Sequence, residues 1–217
     1  MSGPRCVLGI TGNIASGKST VVRMLVELGA THFDADIVYR ELVSAGQPLL
    51  ARLADHFGAG IVGEDGNLDR KALGAIVFAD PAKLRELDEL THPAVIAEID
   101  RRVALADPSE IVVIDAVKLI ESGHAEHCDE VWVVTIGYEQ QLTRLMKRTI
   151  LTEVEAKRRI ASQPPMAAKL ARADRIIENS GSIEETRKQV VTAWNAFLAS
   201  PECTPEDSIR HVSKVQG

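Results

Sequence analysis

The chain has none of the long apolar runs a membrane-spanning helix needs; no hydrophobic stretch approaches about 18 residues. Its first residues, 1–5, carry neither the basic segment nor the apolar core of a secretion signal. Cysteine is scarce: Cys6, Cys128 and Cys203 are odd in number, far apart and form no CxxC pair. That pattern argues against a disulfide framework or a zinc site and fits a reducing, cytoplasmic compartment. Positive charge is also in deficit. Lys and Arg total 25 against 31 Asp and Glu, a formal net charge of -6, whereas duplex nucleic acid is gripped by neutralising its phosphates. The expected partners are small molecules, with no nucleic acid and no membrane, and the expected state is a monomer or weak homo-oligomer. No repeat, no low-complexity tract and no guanine-reading N-K-x-D segment is found.

What is present is an ordinary globular composition, 45% apolar and 26% charged over 217 residues, enough for one domain with a sizeable core. Cys6–Ile10 reads as a strand, Val21–Leu28 as a helix stopped by Gly29, and His32–Phe33 as a short strand ending in Asp34–Ala35–Asp36. Ile111–Ile114 and Val131–Val134 are continuous apolar runs, mostly β-branched, of the kind found in parallel strands covered on both faces. Arg175–Ile177 is a further strand and Ile183–Leu198 a final helix. Strands alternating with helices predict an α/β fold, a doubly wound parallel sheet. Residues 5–199 form one domain in this reading, with a core of 5–36, 106–150 and 174–199. A helical insertion occupies about 37–105, interrupted by Ala59–Gly60 and the turn-like Glu64–Asn67. A surface helical hairpin broken at Pro164–Pro165 occupies about 151–173, and the tail 200–217 is expected to fray.

Between the first strand and first helix, Gly12–Asn13–Ile14–Ala15–Ser16–Gly17–Lys18–Ser19 matches G-x-x-x-x-G-K-[ST] at every fixed position. The residue types follow from the chemistry. Gly12 and Gly17 are expected to take positive φ, so that successive N–H groups turn inward as an anion nest. The following helix points its positive end at the same place. Lys18 suits the β- and γ-phosphates, and Ser19 offers a hydroxyl to Mg²⁺. The expected ligands are a nucleoside triphosphate and Mg²⁺.

A carboxylate at the end of the second strand stands at the carboxyl edge of the sheet, where open α/β folds bind ligands. Asp36 suits a group that orients or deprotonates an acceptor hydroxyl. Asp34 suits either such a role or a helix cap. Asp115, after the third strand, suits a water-mediated magnesium contact or a cap. The pair His124 and His127 is read as a surface loop, since no ligand framework surrounds it.

The run Thr11–Thr20, followed by Asp34–Ala35–Asp36 and Arg40, resembles the dephospho-coenzyme A kinase family, a P-loop kinase-like fold with a helical acceptor-binding insertion and a helical lid. The similarity continues in order through Leu68–Asp69–Arg70 to Val77–Phe78, Thr91–His92–Pro93 and Gln141–Leu142 through Arg148. It then takes in Glu155–Ala156, Arg159–Ile160, Gln163 and Asn179–Ser182, and so spans about residues 5–198. The resemblance implies transfer of the γ-phosphate of ATP to the ribose 3′-hydroxyl of dephospho-coenzyme A, the last step of coenzyme A biosynthesis. Under it Asp36, Lys18 and Arg148 are catalytic. Gly12 to Thr20, Arg148 and Asn179 bind the nucleotide, Ser19 the metal, and Asp36, Arg40, Arg70 and His92 the acceptor.

Each assignment has a plainer alternative: a C-terminal dipole contact for Arg148, a helix-start residue for His92 ahead of Pro93, and surface ion pairs for Arg40 and Arg70. The lid cations Lys157, Arg158, Arg159, Lys169 and Arg172 read mostly as a solvated face. One departure stands out. Where the family usually shows a Pro-Leu-Leu-Phe-Glu segment, this chain has Val117–Lys118–Leu119–Ile120–Glu121. Asn13, where glycine is frequent, tolerates the left-handed region. The rival readings are another P-loop nucleoside or nucleotide kinase, and a non-catalytic ATP-binding switch.

Overall fold

The computed structural model describes residues 6–203. Its strands are β1 (Cys6–Thr11), β2 (Thr31–Asp34), β3 (Ile111–Asp115), β4 (Glu130–Thr135) and β5 (Arg175–Glu178). They form one sheet in the order β2-β3-β1-β4-β5. β1 pairs in parallel with β3 and β4, and β4 with β5; Ile10 lies opposite both Asp115 and Trp132. The continuous apolar runs are thus the central strands, buried along nearly their whole length, as two-sided coverage requires.

The chain divides into two compact units, one comprising residues up to His32 and from Val103 onward, the other Phe33–Arg102. In the first, α1 (Lys18–Glu27) and α9 (Ile183–Leu198) pack with the strands. Leu8, Ile10, Val21, Leu25, Val113, Trp132, Val190 and Phe197 form the cluster, each almost fully buried. Burying such side chains contributes roughly 1.5–3 kcal/mol apiece. α1 stops at Gly29, at φ 102, where the N–H of Ala30 returns to the carbonyl of Leu25, a left-handed glycine stop. α9 starts with a capping box between Ser182 and Glu185.

In the same unit α6 (Tyr138–Arg148) and α7 (Glu153–Ala161) enclose a small apolar cluster, with Leu142, Leu145 and Ala156 packed against Ile14 and Ala15. The short α8 (Met166–Leu170) follows Pro165.

The second unit is helical: α2 (Ala35–Leu42), α3 (Pro48–Phe57), α4 (Arg70–Val77) and most of α5 (Pro81–Val103) surround Val43, Leu49, Leu53, Ile61, Leu73 and Val77. α3 ends at Gly58, and Ala59–Ile61 forms a single 3₁₀ turn where the sequence suggested a break. The turn at 64–67 is real: Asp65 accepts from the N–H of Asn67, and Val62 and Leu68 form an antiparallel bridge.

Three expectations are corrected. Cys6 and Cys203 are joined by a disulfide across 197 residues of sequence, and Cys128 takes no part in it. Spacing gave no hint of it, because only the fold brings the start of β1 to Cys203. Residues 201–203 therefore do not fray; they form a 3₁₀ turn with Cys203 fully buried, and the remaining tail lies outside the described residues. Pro93 does not mark a helix start but sits inside the 23-residue α5. The apolar contacts of α5 outweigh the backbone hydrogen bond that a mid-helix proline removes.

No helix among the described residues is long and apolar enough to cross a membrane.

Candidate nucleotide and phosphoryl-transfer site

Residues 12–17 connect the carboxyl end of β1 to α1. Gly17 takes the left-handed conformation, φ 92, and caps α1. The first turn of α1 carries no acidic residue, so no side-chain charge offsets the positive end of its dipole there. The expectation for Gly12 is corrected. It is not among the positive-φ residues; Ala15, at φ 60, takes that conformation instead. Gly12 serves close approach: a Cβ there would lie 2.6 Å from the Val134 carbonyl oxygen and 2.7 Å from Ser16 Oγ.

The loop is held from three sides by side-chain amides. Gln163 Oε1 accepts from the Ile14 N–H at 2.7 Å, Gln141 Nε2 donates to the Ile14 carbonyl at 2.8 Å, and Asn179 Nδ2 donates to the Ser16 carbonyl at 2.7 Å. Asn13 is not in the left-handed region; its Nδ2 reaches toward the Pro164 carbonyl at 3.4 Å. Asn179 is buried and receives the Thr186 hydroxyl on Oδ1. Its side chain therefore supports the loop, and a Cβ on Gly17 would collide with it at 1.8 Å.

Lys18 forms an ion pair with Asp115, which ends β3 and is buried. His32 Nε2 lies 3.7 Å from the other Asp115 oxygen. Asp115 thus faces the loop lysine Lys18. Ser19 is exposed in the first turn of α1. A serine hydroxyl and a carboxylate are hard oxygen donors of the type Mg²⁺ takes, so these residues fit that ion.

Arg148 ends α6 and is exposed. One turn earlier, Arg144 donates to the Asn179 carbonyl at 2.9 Å and lies against Gly17. Sequence reasoning passed over Arg144 because two arginines at helical spacing look alike until packing separates them. Among the hairpin cations, Lys157 pairs with Glu153 on the exposed face of α7, and Arg172 pairs with Glu126. Lys169 departs from the solvated face expected of it and is fully buried. His124 is likewise buried and not on a surface loop, with the Cys128 thiol 3.6 Å from its carbonyl.

In the helical unit Asp34 proves to be the cap: its Oδ1 accepts from the N–H groups of Asp36 at 2.8 Å and Ile37 at 3.2 Å. Asp36 is exposed in the first turn of α2, and Arg40 is exposed near its end. Arg70 opens α4 behind its cap Asp69. Burial pushes the Tyr39 phenol above its ordinary range, and the nearby Arg70 guanidinium opposes that rise. His92 stands 3.4 Å from Asp88, one turn away on α5.

A parallel sheet with β1 at its centre, a phosphate loop leading into α1, and an acidic residue on the adjacent strand facing the loop lysine define a P-loop kinase-like protein. The family model for dephospho-CoA kinase matches residues 6–185. A dephospho-CoA kinase of Symbiobacterium thermophilum is 48% identical over 192 residues, covering 88% of this chain and 80% of the relative. Among solved structures, TT1252 from Thermus thermophilus superposes with a TM-score of 0.77 at 31% identity, over 91% of this chain and 100% of the other. The dephospho-CoA kinase from Campylobacter jejuni gives 0.64 at 29%, over 88% and 96%. This chain belongs to the dephospho-CoA kinase family. Its activity is that of an ATP-dependent kinase in the final step of coenzyme A biosynthesis.

Proposed function

We propose that the chain moves the γ-phosphoryl group of ATP onto the ribose 3′-oxygen of dephospho-coenzyme A through the following division of labour. The acceptor oxygen bonds to the γ-phosphorus as the bond from that phosphorus to the β–γ bridging oxygen breaks. ADP departs, and the hydroxyl proton passes to the exposed Asp36 carboxylate. The amides at Gly17–Ser19 cradle the phosphates. Lys18 leaves Asp115 to meet the triphosphate, and with Arg148 it balances charge on the phosphoryl group in flight. Arg144 is committed to the Asn179 carbonyl, which leaves the exposed Arg148 as the α6 arginine able to reach a phosphate. Asn179 contributes by holding Ser16 in place. Ser19 and Asp115 would hold Mg²⁺, which supplies charge neutralisation between the phosphates when bound. Arg40, Arg70 and His92 serve the acceptor. The reading includes a cytoplasmic reaction by a monomer or weak homo-oligomer.

The observation that carries this reading is the built phosphate loop, with Lys18 already placed on the Asp115 carboxylate. The test is a coupled assay of ADP release with dephospho-coenzyme A on wild type and Asp36→Asn. Turnover in the variant is expected to fall by about two orders of magnitude or more, the scale of a general base. ATP affinity should hold. Equal turnover in the two proteins removes Asp36 from the mechanism.

A further inference from the structure

Lys169 lies on α8 with none of its surface exposed. A buried ammonium persists only where its charge and its protons are answered. Here three N–H groups meet three acceptors: the Val117 carbonyl at 2.6 Å, the Glu121 carboxylate at 2.8–2.9 Å and the Thr11 hydroxyl oxygen at 3.4 Å. The Thr11 hydroxyl in turn donates to the same Val117 carbonyl at 3.0 Å. Thr11 is the last residue of β1, immediately before Gly12. The ammonium therefore ties three segments at one point: the end of the central strand, the stretch after β3, and the hairpin's second arm.

That arm grips the phosphate loop a second time. Gln163 holds the Ile14 N–H, and the Pro164 carbonyl accepts from Asn13. Gly12, between the two grips, has no slack against the Val134 carbonyl. A shift at Thr11 must therefore pass into the amides that follow.

We infer that Lys169 is a positioning residue for nucleotide binding, the point at which the segment 163–169 fixes the emergence of the phosphate loop from β1. The inference rests on the reading of Gly12–Ser19 as the ATP site.

The test measures ATP affinity by equilibrium binding, together with kcat and KM for ATP, on the full chain. The proteins are wild type, Lys169→Met, the pair Lys169→Met/Glu121→Gln, and Glu121→Gln. The pair variant leaves no unmatched carboxylate, so it keeps the test open should the single variant fold poorly. Loss of the ammonium in either background should weaken ATP binding by about tenfold, the worth of a charged hydrogen bond. Glu121→Gln leaves the buried ammonium without its counter-charge, and should weaken ATP binding in the same direction as Lys169→Met. Thr11→Val should shift ATP affinity in the same direction as Lys169→Met. A purely structural lysine would lower the melting temperature and leave ATP affinity alone. A folded pair variant with wild-type ATP affinity overturns the inference. A wild type that fails to bind ATP overturns the nucleotide site itself, a separate result.

Discussion

The phosphate loop and the helical unit of residues 33–102 carry chemistry in opposite ways. In the loop the proposed binding groups are main-chain amides, and the side chains around them hold the loop in place: Gln141, Gln163 and Asn179 bond its backbone atoms, while Lys18 rests on Asp115. In the helical unit the functional candidates Asp36, Arg40 and Arg70 are exposed side chains on helix surfaces, while polar groups such as Asp34 and Asp69 cap helices. A site built from backbone demands a fixed sequence pattern and a supporting shell. One built from exposed side chains demands only that the helices stand.

Substitutions should separate the two regions by what they change. The largest effect is expected for Lys18→Ala, which removes the loop side chain proposed to meet the phosphates. Steady-state assays should show turnover down by about three orders of magnitude, the upper range for a lost electrostatic stabiliser. A loss below tenfold would show that the amides suffice. Next comes the disulfide. Cys203→Ser, or reduction of the wild type, should lower stability by about 2–5 kcal/mol, read as a drop in denaturant midpoint. Identical midpoints with and without reductant would show that the Cys6–Cys203 link does not hold the first unit.

Asn179→Ala sharpens the contrast within the loop. It strips a buried bond from the Ser16 carbonyl and leaves that acceptor unanswered, at a cost of about 1–3 kcal/mol. ATP affinity should fall, while KM for dephospho-coenzyme A should not. A selective rise in the acceptor KM would place Asn179 on the other substrate.

The smallest effect belongs to the helical unit. Hydrogen bonds from Arg101 and Arg102 hold the Glu98 carboxyl down to about 2, against an ordinary 4.5. A depressed folded value means that this stabilisation is complete above the unfolded value and is lost as pH falls from about 4.5 toward 2. Glu98→Gln should therefore flatten the stability profile in that window and change little at neutral pH. An unchanged acid limb would show that the cluster contributes nothing.

The same contrast explains how much of the molecule could be read from the chain. The loop was legible because backbone geometry leaves few residue choices, and the central strands because two-sided burial enforces runs such as Ile111–Ile114. The support of the loop was not. Arg144 and Arg148 occupy equivalent helical positions, and only packing against Gly17 tells them apart. Lys169 looked like one more solvated cation, since its acceptors come from segments 48 and 158 residues away. The positive φ expected of Gly12 falls on Ala15 instead, because close approach and positive φ both favour glycine and the motif does not say which applies. The Cys6–Cys203 bond depends on the fold alone.

Product analysis tests the central claim most directly. Wild type and Lys18→Ala would each be incubated with ATP, Mg²⁺ and dephospho-coenzyme A, and the products followed by phosphorus NMR. Wild type should yield ADP and a new phosphomonoester on the ribose 3′-carbon, nearly absent with Lys18→Ala. Free phosphate beside unaltered dephospho-coenzyme A, or a phosphoryl group at another position, would contradict the account.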